Sequence, residues 1–91
     1  MLQAQKGKIM KVTINISLKE GVLDPEGRAV ETALGNLGFT DAANVRIGRQ
    51  ISLDIDAEDA SRAQHRAARM CESLLANTVI EDYEIELADE E

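Results

Sequence analysis

The chain has 91 residues and a formal net charge of −7, enough for one domain that buries roughly 60–65% of its unfolded surface. Its aromatic residues are Phe39 and Tyr83 alone, and acids outnumber bases, so it lacks the stacking platforms and clustered cations of nucleic-acid binding. A lone cysteine, Cys71, excludes an intramolecular disulfide and a cysteine-based metal site and fits a reduced, cytoplasmic setting; no signal peptide or membrane-spanning run is legible.

Residues 1–9 are polar, and a second methionine follows at Met10. The native domain is expected to start there, with 1–9 a disordered extension carried from an upstream start or added for expression, 10–88 the folded domain and 89–91 an acidic tail. Val12, Ile14, Ile16 and Leu18 alternate with polar residues, the period of a half-buried strand over 12–18. A turn through Gly21 leads to Asp24-Pro25, a helix start: the carboxylate accepts from a free N–H, and the proline occupies a position whose N–H has no partner. The helix is expected over 25–37, with Val30, Ala33, Leu34 and Leu37 as its apolar stripe. Gly38 supplies the left-handed stop, and Phe39 packs back over the last turn. Gly27, inside the first turn, costs about 1 kcal/mol relative to alanine; either a close approach to that backbone or simple tolerance accounts for it.

Residues 40–44 read as a loop. Val45 and Ile47 alternate, as do Ile51, Leu53 and Ile55, giving two strands or one sharply bent strand, with Gly48 supplying a positive φ at the bend. The second helix is expected after Asp56 as N-cap, with Glu58 and Asp59 in its first turn, and to run to about Ala76. Ala60, Ala63, Ala67, Met70, Cys71, Leu74 and Leu75 form its buried face; Arg62, Arg66 and Arg69 form a separate stripe with local ion pairs to Glu58, Asp59 or Glu72. Asn77 serves as the left-handed stop. A last strand spans 79–87, its inward series Tyr83, Ile85 and Leu87. The class is therefore α+β: a two-layer βαββαβ domain with two helices packed on one face of a mainly antiparallel sheet, reached through right-handed crossovers. Its other face carries Thr13, Asn15 and Ser17, open to solvent or to another subunit.

No catalytic constellation emerges. His65, the single histidine, lies beside the arginine stripe without a poised partner and reads as a surface residue, and Cys71 falls on the apolar helix face and reads as core. Residues 81–91 carry seven acids and no base, which reads as a solvated strand face and tail, or as a contact for a basic partner. Arg46 and Arg49 flank Gly48 at a turn, where side chain and backbone are both exposed to a partner.

Four segments carry a family resemblance: Leu18-Lys19-Glu20-Gly21-Val22-Leu23-Asp24-Pro25-Glu26-Gly27-Arg28-Ala29-Val30; Leu37-Gly38-Phe39; Val45-Arg46-Ile47-Gly48-Arg49; and Leu74-Leu75-Ala76-Asn77-Thr78-Val79-Ile80-Glu81-Asp82-Tyr83. Together they resemble the PurS subunit family of phosphoribosylformylglycinamidine synthase over about residues 10–87. Thr78, where a proline is common, and Arg49, where a lysine is common, depart from its pattern. The resemblance implies a small subunit without chemistry of its own in de novo purine biosynthesis, binding no cofactor and no metal. The ligase complex uses ATP and Mg on a large synthetase subunit and takes ammonia from a glutaminase subunit. It also implies a homodimer or tetramer that helps bring these two partners together. The candidate contact residues are Gly21, Asp24, Pro25, Gly27, Arg46, Gly48 and Arg49. A βαββαβ metabolite-sensing regulatory domain is the alternative. A small phosphatase of similar topology is a further rival, but it would need a phosphate-cradling glycine loop beside Arg46 or Arg49, and none is legible.

Overall fold

A three-stranded antiparallel sheet in the order β2-β1-β3 forms the centre of the molecule, in a computed structural model that describes residues 7–89. Its strands are β1 (Lys8–Leu18), β2 (Arg49–Ala57) and β3 (Glu81–Asp89), and its helices are α1 (Pro25–Asn36) and α2 (Ala60–Met70), the latter continuing as a π turn over Cys71–Leu75. The α+β class, the antiparallel sheet and the two helices are as the alternation and stripes foretold. The expected extension over 1–9 is cut short: Lys8 and Ile9 already pair with Ala57 and Asp56, while residues 1–6 lie outside the described residues. At the other end Asp89 still pairs with Met10, so the strand runs into the expected tail; Glu90 and Glu91 lie outside the described residues.

One sheet face is the core. Met10, Val12, Ile14 and Ile16 are buried along β1 and meet Ile55 and Ala57 of β2 and Ala63, Ala67 and Cys71 of α2. Alternation puts these residues on one face of each strand, and the small alanines let α2 approach closely. The two edge strands both run antiparallel to β1, hence parallel to each other. The α2 connection therefore has to cross over β1, which lays that helix on the sheet. The connection through α1 joins an antiparallel pair and has only to return at the same end. No first crossover exists, and α1 shares no packed interface with any strand or with α2. It departs in this from the expected packing of both helices on the face. Val30 is 37% and Leu37 73% exposed while Leu34 is half-buried, so the apolar stripe is real but only partly covered among the described residues.

Local details also shift. The strand expected over 45–47 is an irregular segment without ladder pairing, and only 49–57 joins the sheet. Pairing of β2 continues to Ala57, so the helix starts later than Asp56 suggested: Asp59 is the N-cap, its carboxylate accepting from Arg62 N at 2.8 Å. Ala60 and Leu74 are exposed rather than buried. The left-handed residues are Gly21, Gly38 and Asn44, not Gly48 or Asn77. Asn77 instead folds its side chain onto the turn, Oδ1 accepting from Val79 N at 3.2 Å, and Tyr83 donates to Glu72 at 2.8 Å.

Candidate partner-contact site

The residues singled out at the two turns converge on one joint, where the arm carrying α1 leaves the sheet. Asp24 is its centre. One carboxylate oxygen caps α1 by accepting from Gly27 N at 2.8 Å; the other accepts from Ile47 N at 2.8 Å, across 23 residues of chain. The same N–H groups hold the carboxyl below its ordinary range, Ile47 foremost, then Gly27, with the Arg46 guanidinium adding to both. Gly27 is buried against the returning strap: a Cβ there would run into the Val45 carbonyl oxygen and lie 2.9 Å from the Asp24 carboxylate. Close approach, not tolerance, explains this glycine. Gly48 is explained in the same way, since a Cβ would stand 2.7 Å from the Ile16 carbonyl oxygen.

Both arginines of the second turn brace the joint. Arg46 donates to the carbonyls of Val22 at 3.0 Å and Lys19 at 3.3 Å, tying the strap to the first turn. Arg49 donates to the Leu75 carbonyl at 2.7 Å and pairs with Glu81 at 2.8 Å. This pairing, followed by the Asn77 N–H, holds the Glu81 carboxyl below its ordinary range. Of the seven candidates, Gly21, Pro25, Arg46, Gly48 and Arg49 are exposed, Asp24 is half-buried and Gly27 is buried, where it shapes the joint. Sequence reasoning missed two partners. Glu31 accepts from Val45 N at 3.2 Å, and Glu81 sits in the inward series of its strand. An acid at an inward position was the available signal for the latter.

His65 lies apart from the joint, exposed on α2 in a shallow groove with Ser61, Arg62 and Arg66. Cys71 is buried, and burial pushes its thiol up, with the Glu72 charge adding to this. Among the described residues no three metal-ligating side chains cluster. No helix there is long and apolar enough to cross a membrane. The joint thus offers a braced, hydrogen-bonded platform of backbone and guanidinium groups.

Residues 11–89 match the family model PurS, phosphoribosylformylglycinamidine (FGAM) synthase. The chain belongs to the PurS family. The phosphoribosylformylglycinamidine synthase subunit PurS of Bacillus subtilis is 46% identical over 79 residues, covering 87% of this chain and 93% of that one. Its counterpart in Methanocaldococcus jannaschii is 42% identical over 77 residues, with 85% and 93% covered. The solved structure of M. jannaschii PurS, one of the subunits of formylglycinamide ribonucleotide amidotransferase in the purine biosynthetic pathway, superposes with a TM-score of 0.82 at 41% identity, covering 90% of this chain and 99% of that one. A chain in a structure of PurLQS from Thermotoga maritima superposes at 0.81 with 30% identity, covering 88% and 98%.

Proposed function

We propose that this chain is the non-catalytic small subunit of phosphoribosylformylglycinamidine synthase. It self-associates in the cytoplasm and docks a glutaminase subunit onto a synthetase subunit that uses ATP and Mg. The observation that carries the reading is the near-complete overlap with a chain in the T. maritima PurLQS structure. The chemistry of the chain is consistent with it: the one thiol is buried and raised in pKa, and the one histidine stands exposed away from the joint. An adaptor has a physical use in such a reaction. Ammonia released into water protonates and loses its nucleophilicity, whereas a docked pair of active sites shields the transfer and raises the effective concentration.

The exposed surface of the joint, with Gly21, Pro25, Arg46 and Arg49, is the proposed contact for the larger subunits. Co-elution from a sizing column tests this reading. The purified synthetase and glutaminase are expected to co-elute only when this chain is added. An Arg46→Ala variant is expected to weaken that co-elution and, because it loses the hydrogen bonds to the Val22 and Lys19 carbonyls, to melt a few degrees below the parent while remaining folded at the assay temperature. Equal co-elution of the two large subunits without the chain would overturn the adaptor role. An Arg46→Ala chain that assembles as well as the parent would remove Arg46 from the contact surface.

A further inference from the structure

Two turns at one end of the sheet hold apolar side chains out in water, and both are braced. In the first, residues 19–23, Val22 N donates to the Lys19 carbonyl at 3.1 Å, and Gly21 takes a left-handed φ of 89°. Arg46 grips the same turn through the Lys19 and Val22 carbonyls. In the second, residues 77–81, the Asn77 carbonyl accepts from Ile80 N at 3.0 Å and Glu81 N at 2.8 Å. The Glu81 carboxylate closes this turn by accepting from Asn77 N at 2.7 Å while it pairs with Arg49. Lys19 N donates to the Ile80 carbonyl at 2.8 Å and locks one turn to the other. Out of this frame project Leu23, 86% exposed, and Val79, 81% exposed, with Ile80 partly exposed between the turns. Leu23, Pro25 and Ile80 line one open depression. Exposed apolar residues are ordinary when scattered; on two turns fixed to each other they make a patch.

We propose that this patch binds a segment of the larger subunits that presents an apolar side chain flanked by lysine or arginine. The proposal rests on the adaptor reading above and assigns the chemistry of its contact. Bracing matters because a turn already fixed in shape loses little freedom on binding, so an apolar anchor held on it contributes more of its burial to affinity. Charge selects the flanks. Lys19 pairs with Asp82 and Arg49 with Glu81, and the Asp24 carboxylate is taken up by backbone N–H groups. Among the described residues this leaves Glu26 in the depression and Glu20 on the first turn as carboxylates without a partner. Arg28 lines a second cleft, towards Asn44 and Val45. A base on the incoming segment therefore meets an unpaired carboxylate, and the net charge of −7 on the whole chain draws a basic surface towards it.

Exposed positions allow a test that leaves the core alone. Binding of the purified synthetase and glutaminase to the immobilised chain is followed by interferometry, and self-association of each variant by sedimentation equilibrium. Leu23→Asp and Val79→Asp are each expected to weaken binding of the larger subunits by about tenfold or more, with sedimentation as in the parent. Leu23→Met is expected to bind as the parent does. Glu26→Gln is expected to slow association a few-fold at low salt and to change the dissociation rate less. Unchanged binding by both Asp variants would overturn the proposal, and an unchanged association rate in Glu26→Gln would overturn the basic flanks assigned to the partner. A Leu23→Asp chain that loses self-association along with binding would make the patch an interface between copies and overturn the proposal as well. A parent chain that binds neither larger subunit would overturn the adaptor reading and this proposal together.

Discussion

Two glycines of the same helix are expected to respond to alanine with opposite signs. At Gly35 a Cβ meets nothing within 4 Å, so Gly35→Ala gains helix propensity of about 1 kcal/mol. For a domain of this size that raises the melting temperature by about 4–8 °C. At Gly27 the same propensity gain is available, but the new methyl runs into the Val45 carbonyl oxygen and crowds the Asp24 carboxylate. Overpacking of this kind costs about 1–3 kcal/mol, and a backbone oxygen at so short a range sets the cost near the top of that span. The strap must move, straining the Val45–Glu31 and Ile47–Asp24 hydrogen bonds. The net is a loss of about 2 kcal/mol, or about 8–16 °C. Thermal unfolding followed by circular dichroism, at one fixed protein concentration because association shifts the midpoint, reads both. A Gly27→Ala chain that melts as high as Gly35→Ala would refute the packing of the strap on α1.

Acid is expected to weaken the joint. The Asp24 and Glu81 carboxyls are both depressed in the folded state, so their stabilisation is fully present above their ordinary values of 3.8 and 4.5 and is lost as pH falls through the folded values. Melting temperature should decline on this acid limb, less steeply in Asp24→Asn; a rise on acidification would contradict the assigned hydrogen bonds. Cys71, buried and raised in pKa, should react with a thiol reagent at mildly alkaline pH only at the rate at which the chain opens. Rapid stoichiometric labelling of native protein would contradict its place in the core.

What the sequence disclosed was local, and what it concealed was contact. The alternation from Val12 to Leu18, the Asp24-Pro25 start, the Gly38 stop and the alanine stripe of α2 each follow from one element's own periodicity or capping chemistry. Asp56 misled as an N-cap because β2 stays in the ladder as far as Ala57, opposite Lys8, and strand pairing is not written in the helix start. Val30 and Leu37 are spaced for burial, yet spacing does not say against what, and within one chain they stay exposed. At the joint, the candidates Asp24, Gly27, Arg46 and Arg49 were visible as residue types that a core does not require. That Asp24 would span to Ile47 and Arg49 to Glu81 and Leu75 depends on where the chain returns, which no short motif encodes.

The central claim is that this chain enables ammonia transfer between two larger subunits. It is tested most directly by comparing glutamine-dependent with ammonia-dependent formation of the amidine product by the synthetase and glutaminase, with and without this chain at limiting concentration. Glutamine-dependent turnover is expected to need the chain, while ammonia-dependent turnover by the synthetase changes little. Full glutamine-dependent turnover in its absence would contradict the account.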